Sequence, residues 1–447
     1  MNYNELIESF NSKRAEEIFE ELYGEGEIET ARCRYSMFLK SMLKDFPQTE
    51  LPEASCPIRV FSAPGRTELG GNHTDHNLGK VLAASIQMDS AAIVQVRKDN
   101  TVFFRSTGYP DVKVKLTDSS GAYNLQPKPE ETGKTESLVR GIAAEFIRRG
   151  YSVGGFSANA DSTVLPGSGL SSSAAVETLL CRIFDSLYND GNLSPLKIAQ
   201  ISQIAENVYF GKPCGLMDQT ACASGGAVAI DFAQADSPAV RQIGFNLAAA
   251  GYSLCVVNTG GSHADLTPDY AAIPAEMRMI ASFFGKSVLR ELDKETVLSN
   301  AAELRKVSGD RALLRALHFF DENTRVDAMA FFLTEMEKGK TGSLFNYLDL
   351  VNESGDSSWE LLQNIYSPKS PESQGITVSL ALTRDFFRRQ KIKGAYRVHG
   401  GGFAGTIQVY LPVDAIEAYR TYIETIFGSG SVTVLHIRPA GAVELVF

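Results

Sequence analysis

The sequence predicts an α+β protein of two domains behind a helical N-terminal segment, and three observations carry that reading. Its 447 residues are more than one hydrophobic core usually holds, so two cores are expected. Near Ile58 the apolar pattern changes from helical to strand periodicity. Around Ala248 to Tyr252 the first series of elements closes and a second begins, which divides the chain into a helical extension (1–56), a first domain (57–250) and a second domain (251–447).

In the extension, Leu6, Ile7, Phe10, Ile18, Phe19 and Leu22 recur at helical spacing, and TARCRYSMFLKSMLKDF repeats the pattern before Pro47. Two helices forming a packed appendage are expected. Short β-branched runs follow as strands: IRVFS, KVLAASIQ, SAAIVQVRK, TVFFRS and DVKVKL. A helix over 134–149, the strand-like FSANADSTV, a helix from Ala174, helices at about 196–208 and 217–224, and the strand GAVAIDF make the first domain α+β. In the second domain LCVVNT reads as a strand and residues 269–390 as mainly helical. GAYRVHGGG, GTIQVYL and SVTVLHI then return to sheet around the helix DAIEAYRTYIETIFG.

Composition excludes several function classes. The chain is 44% hydrophobic and 21% charged, as globular proteins are, and has no run of 18 apolar residues for a bilayer. Its first residues lack the basic start and apolar stretch of a secretory signal, and its six cysteines lack CxxC spacing, so they read as reduced thiols of a cytoplasmic protein. A net charge of −10 argues against nucleic-acid or anionic-membrane partners, which need a clustered basic face. Any anion site must be built locally, from glycine loops and helix starts.

Four segments have that character. LPGSGLSSSAA (165–175) joins a strand to a helix through Gly167, Gly169 and three serines; such a turn lets backbone N–H groups approach a ligand and places a helix N-terminus against phosphate. It is neither GxxxxGK[ST] nor GxGxxG, and the GKT and GKS triplets elsewhere lack the preceding glycine. PGRTELGGNHTDHNLG crowds Arg66, Asn72, His73, Asp75 and His76 together, a density of donors and acceptors that suits a sugar; zinc on His73 and His76 is the alternative. HGGGFAG (399–405) implies either close backbone approach or a tight hairpin. GKPCGLMDQ carries Asp218 at a helix start, twelve residues after Glu206, and completes what looks like a phosphoryl-transfer set.

In this order, APGRTELGGNHTDHNLGKVL, PGSGLSSSAA, PCGLMDQ and RVHGGGFAG resemble the galactokinase branch of the GHMP kinases, over about residues 57–447. The resemblance implies that fold, with an active-site cleft between an N-terminal α+β domain and a C-terminal α/β domain. It also implies ATP-dependent phosphorylation of the anomeric hydroxyl of galactose, with magnesium. Residue by residue, it implies Asp218 and Arg66 as the catalytic pair. Gly167, Gly169, Leu170, Ser171, Ser172 and Ser173 would meet ATP phosphates, Ser173 and Glu206 magnesium, and Asn72, His73, Asp75, Gly215 and Tyr270 the sugar.

The chain also departs from the family pattern. Asn72 stands where Glu usually precedes the HTD triplet, Glu68 where Asn is usual in the preceding turn, and His76 where Tyr is common. TESLVRG lacks the Trp and Tyr of the pattern that lies by the adenine pocket in the family. Two other readings therefore stand beside galactose phosphorylation: a kinase for galacturonate or N-acetylgalactosamine, and a sugar- and ATP-sensing regulator without turnover. All three require Ser172, Arg66 and Asp218 to converge on one cavity.

Overall fold

The computed structural model describes residues 1–46, 50, 56–164, 169–261 and 266–447. Twelve strands lie among them: β1 (Ile58–Gly70), β2 (Lys80–Val96), β3 (Thr101–Ser106), β4 (Val112–Lys115), β5 (Phe156–Ser162), β6 (Ala227–Asp231), β7 (Ala239–Ile243), β8 (Tyr252–Asn258), β9 (Ala395–His399), β10 (Thr406–Pro412), β11 (Val432–Leu435) and β12 (Val443–Leu445). The first sheet runs β12-β1-β2-β5-β3-β4, with β6 on β2 and β7 on β6; the second runs β11-β8-β10-β9. β3 and β5 pair in parallel, and every other strand pair is antiparallel.

Two strands are longer than their sequence patterns suggest. PGRTELG, expected as a turn after the first strand, continues β1, because register shifts at Pro64/Arg66 and Glu68/Gly70 absorb the proline and glycines without ending the pairing. KVLAASIQ and SAAIVQVRK fuse into the single strand β2, since no Gly or Pro separates them. Its first half pairs with β6 and its second half with β5. The final strand β12 lies beside β1 in the first sheet, a return that the sequence division at 250 does not anticipate.

Period-two alternation sorts the first sheet's side chains onto two faces. Phe61, Ala63, Ala92 and Val94 meet the helices Thr135–Arg148 and Ser172–Tyr188, where Ile142, Phe146, Leu180 and Phe184 are buried. Val60, Ala91 and Ile93 face the opposite way and are covered by the N-terminal extension through Phe10, Phe19, Tyr35, Leu39 and Met42. That extension is three helices, Tyr3–Ser9, Lys13–Tyr23 and Ile28–Asp45, where two were expected. Ser12 interrupts the pattern by accepting a bond from the Ala15 N–H and starting a new helix. Pro47 lies outside the described residues.

The extension is also fastened by charge. Asp89 of β2 is fully buried and receives Arg34 at 2.6 Å, the Tyr23 hydroxyl at 2.7 Å, Arg438 at 3.4 Å and the Ser62 hydroxyl. One carboxylate thus joins two extension helices, β1, β2 and the segment before β12.

In the second sheet Leu254, Val256 and Tyr410 face the helices Asp310–Glu337 and Ser343–Ser357, which fill the space toward β1 and β2. Val257, Ile407 and Val409 face the helices Gly375–Gln390 and Ile416–Phe427. Among the described residues no helix is long and apolar enough to cross a membrane, and all six cysteines are free.

Candidate active site

The bulges in β1 aim Arg66 at the start of the helix Met217–Ser224. There its guanidinium forms a two-pronged pair with Asp218, Nε to Oδ1 at 2.8 Å and Nη2 to Oδ2 at 2.9 Å. The Ser171 hydroxyl donates to Asp218 Oδ2, and Arg66 Nη1 donates to the Gly169 carbonyl. The Arg66 N–H bonds the Leu170 carbonyl at 3.0 Å, and a Cβ on Gly65 would stand 2.7 Å from that oxygen, so the backbones meet closely only because residue 65 is glycine. The serine turn is thereby bound to the Arg66–Asp218 pair. Ser171 adopts φ 60°, and Ser172 and Ser173 open the helix Ser172–Tyr188 with their N–H groups unclaimed by an earlier turn.

Burial alone would raise the Asp218 carboxyl, but the Arg66 guanidinium, its hydrogen bonds and the Ser171 hydroxyl outweigh that and hold it below the ordinary carboxylate range. Both side chains line a cavity, and Asp218 keeps 32% of its side-chain surface open while Arg66 keeps 7%, so the carboxylate is the more accessible of the two. Beneath this pair His399 bridges Thr67 and Thr406 at 3.0 Å each, and burial followed by the charges of Arg66 and Arg397 keeps it neutral.

Asp218 lines a cavity of about 690 Å³ whose other walls carry His73, Asp75, Gly215 and Tyr270. His73 donates from Nε2 to the Gly401 carbonyl at 2.9 Å. Burial, then the nearby His76, lowers its pKa to about 4, so it is a neutral imidazole at physiological pH. A Cβ at Gly215 would overlap the Asp75 carboxylate, so glycine there leaves room for that side chain. The Tyr270 hydroxyl donates to the Gly402 carbonyl at 3.0 Å, and a Cβ on Gly401 would fall 2.6 Å from the Tyr270 ring. The three-glycine turn between β9 and β10 is therefore a cavity wall made of backbone, which decides between the two readings of HGGGFAG.

Asn72 lines the same cavity, and its side-chain amide is also bonded into the wall behind it. It is fully buried, its amide donating to Glu68 at 3.1 Å and to the Gly400 carbonyl at 2.7 Å and accepting from Asn364 at 2.7 Å. The acid and the amide that are interchanged relative to the family pattern are thus a hydrogen-bonded pair. Arg397, fully buried, meets Glu68 at 2.5 Å and compensates the acid's charge.

Glu206 is buried where the helix Pro195–Ile204 widens into the π-turn Ala205–Phe210. Its carboxylate meets Lys212 Nζ at 2.9 Å and the Gln219 amide at 2.8 Å, and that amide also donates to Glu177 at 3.0 Å. Burial and then the Glu206 charge push Glu177 well up.

The structure therefore brings Arg66, Asp218, Gly169, Leu170, Ser171, Asn72, His73, Asp75, Gly215 and Tyr270 to one place, with Ser172, Ser173 and Glu206 beside it. Gly167 lies outside the described residues. His73 and His76 have ring centres 6.1 Å apart, and among the described residues no three His, Cys, Asp or Glu side chains group to hold a metal, so the zinc alternative gains no third ligand. TESLVRG serves packing: a Cβ on Gly141 would stand 2.7 Å from the Tyr209 ring. Lys212 and Arg278 also line the cavity, and sequence reasoning passed over both; the signal for Lys212 was a lone cation between Gly211 and Pro213 in a segment already singled out.

Residues 137–226 match the family described as GHMP kinases N terminal domain, and residues 50–96 the galactokinase galactose-binding signature. A galactokinase of Streptomyces coelicolor is 31% identical over 379 residues, spanning 83% of this chain and 89% of its own. One of Clostridium tetani is 29% identical over 305 residues, spanning 67% and 75%. Among solved structures, the Lactococcus lactis galactokinase complexed with galactose shares the fold with TM-score 0.74 at 23% identity, covering 92% of this chain and 99% of its own.

Proposed function

This chain belongs to the galactokinase family, and from that premise we propose that its cavity transfers the γ-phosphoryl group of ATP to the C1 hydroxyl of galactose, giving galactose 1-phosphate and ADP. The observation that carries the reading is the Arg66–Asp218 pair, bonded to Ser171 and facing a cavity whose far wall holds His73, Asp75, Gly215 and Tyr270. The chain is a sugar kinase, and the cysteine pattern supports work in the cytoplasm.

In the reaction the sugar's O1 forms a bond to the γ-phosphorus as the bridging P–O bond to the β-phosphate breaks, leaving its electron pair on ADP. The hydroxyl proton passes to Asp218 and then to solvent. Phosphoryl transfer proceeds through a loose transition state, so alignment and charge stabilisation carry most of the catalysis. Asp218 orients O1, the turn at Gly169–Ser173 receives phosphate oxygens, and Arg66 keeps Asp218 ionised. Ser173 and Glu206 would hold magnesium, offering the hard oxygen donors that suit an ion which takes one or two carboxylates together with phosphate and water. When bound it neutralises charge on the nucleotide phosphates. That Glu206 already holds an ammonium at 2.9 Å is in keeping with a position that accepts a cation.

A neutral sugar suits the wall formed by Asp75 and Asp218 better than a uronate, whose carboxylate both would repel. Initial rates with ATP are expected to favour galactose over galacturonate and N-acetylgalactosamine; preference for either of the others would overturn the substrate assignment. A coupled ADP-release assay separates the kinase from a non-catalytic regulator, since the latter would bind both ligands without turnover. Gly215→Ala is expected to lower kcat/KM for galactose by roughly 10- to 100-fold by displacing Asp75. An unchanged kcat/KM would remove Asp75 from the sugar site.

A further inference from the structure

Lys212 plays no part in the chemistry above, yet the fold builds its position. The π-turn Ala205–Phe210 ends at Gly211, whose φ of 82° lets the Lys212 N–H return to the Glu206 carbonyl at 3.1 Å. The side chain of Lys212 then closes on the carboxylate of the same residue, Nζ to Oε1 at 2.9 Å, before Pro213 turns the chain into the cavity wall. The two partners differ sharply in freedom. The Glu206 side chain is 3% exposed and anchored by Gln219, whereas that of Lys212 is 59% exposed. The carboxylate stays in place and the ammonium can leave it.

The ammonium lies within the field of Glu206 first and then Asp218, so the ionised acids that hold it also face the transfer site. One carboxylate oxygen cannot serve an ammonium and a divalent cation at contact distance, because the two cations repel. A lysine released from such a pair has a four-carbon stem and three rotatable donors with which to meet phosphate. We propose that Lys212 is a further catalytic residue, a tethered cation that Glu206 holds beside the transfer site and that turns to the nucleotide's phosphate oxygens when Glu206 accepts a divalent cation.

The inference rests on the sugar-kinase reading, and its test separates the two. Wild type, Lys212→Met and Lys212→Arg are compared, with Lys212→Gln replacing the Met variant if that one does not fold. Mn²⁺ is titrated into the nucleotide-free proteins and followed by its electron paramagnetic resonance. Removing the tethered cation is expected to tighten Mn²⁺ binding by about threefold or more, and Lys212→Arg is expected to leave it near wild type. With Mg²⁺, ATP and galactose, Lys212→Met is expected to lose about 10- to 100-fold in kcat, with KM for galactose within about twofold of wild type and substantial recovery in Lys212→Arg. Mn²⁺ binding unchanged in Lys212→Met overturns the tether, and kcat unchanged overturns the catalytic role. Absence of galactose turnover in the wild type would overturn the kinase reading, while the Mn²⁺ titration, which needs neither sugar nor turnover, still decides the tether.

Discussion

Asp218→Asn is expected to lower kcat by about 10²- to 10⁴-fold while nucleotide affinity stays close to that of wild type. Asparagine keeps the size of the carboxylate but turns one of its two accepting oxygens into a donor and removes the charge that, in the proposed mechanism, orients the sugar hydroxyl and receives its proton. On the proposed assignment nucleotide affinity rests instead on the helix start at Ser172 and Ser173 and on Glu206, whose carboxylate is bonded to Gln219 and Lys212 and not to Asp218. The measurement is steady-state ADP release together with equilibrium titration of ATP into the variant.

The pH profile follows from the same geometry. Burial favours the protonated acid, but Arg66 and Ser171 prevail and hold the Asp218 pKa below the ordinary carboxylate value. The ionised form is therefore fully present at neutral pH and is lost only as pH falls through that depressed pKa. As far as Asp218 is concerned, kcat should have no acid limb between pH 7 and about 5. In the proposed mechanism so weak a base takes the proton late, after the O–P bond has largely formed, and the carboxylate's part is chiefly orientation and charge.

The largest stability effect is expected at Asp89. Asp89→Ala leaves Arg438, fully buried, and Arg34, largely buried, without their shared anion, and removing one partner of a buried pair typically costs about 3 to 5 kcal/mol. Urea unfolding of wild type and variant checks this, and a loss below about 1 kcal/mol would show that the extension is held by its apolar face alone. Burial would raise the Asp89 pKa, but Arg34, Arg438 and the Ser62 hydroxyl together lower it. With a depressed folded pKa, this contribution is complete above the unfolded carboxylate value and disappears as pH falls through the folded one. Acid should thus loosen the extension from the sheet.

Much of the site was legible in the sequence because its chemistry restricts residue types. Close backbone approach requires glycine at Gly169 and Gly215, anion binding favours a serine-bearing helix start, and a carboxylate is a common way to orient an acceptor hydroxyl for phosphoryl transfer, the part proposed for Asp218. What could not be read depends on contacts across long separations. Glu68 is compensated by Arg397 from β9, and the Asn72 backbone carbonyl is held by His318 at 2.9 Å, so the interchange of acid and amide makes sense only once those partners are in place. The length of β1 was hidden because bulges carry its pairing past a proline that normally marks a strand end. The return of β12 to β1 leaves no local mark at all, since it is set by the antiparallel pairing of Val443–Leu445 with a strand nearly 400 residues earlier.

The proposed transfer requires Arg66, Asp218 and the serine turn to act together on a sugar hydroxyl. Phosphorus NMR of purified protein with ATP, Mg²⁺ and galactose tests this most directly. The expected result is a sugar 1-phosphate resonance growing in step with ADP in the wild type and nearly absent in Asp218→Asn. ADP formed without a sugar phosphate, or phosphate appearing at C6, would contradict it.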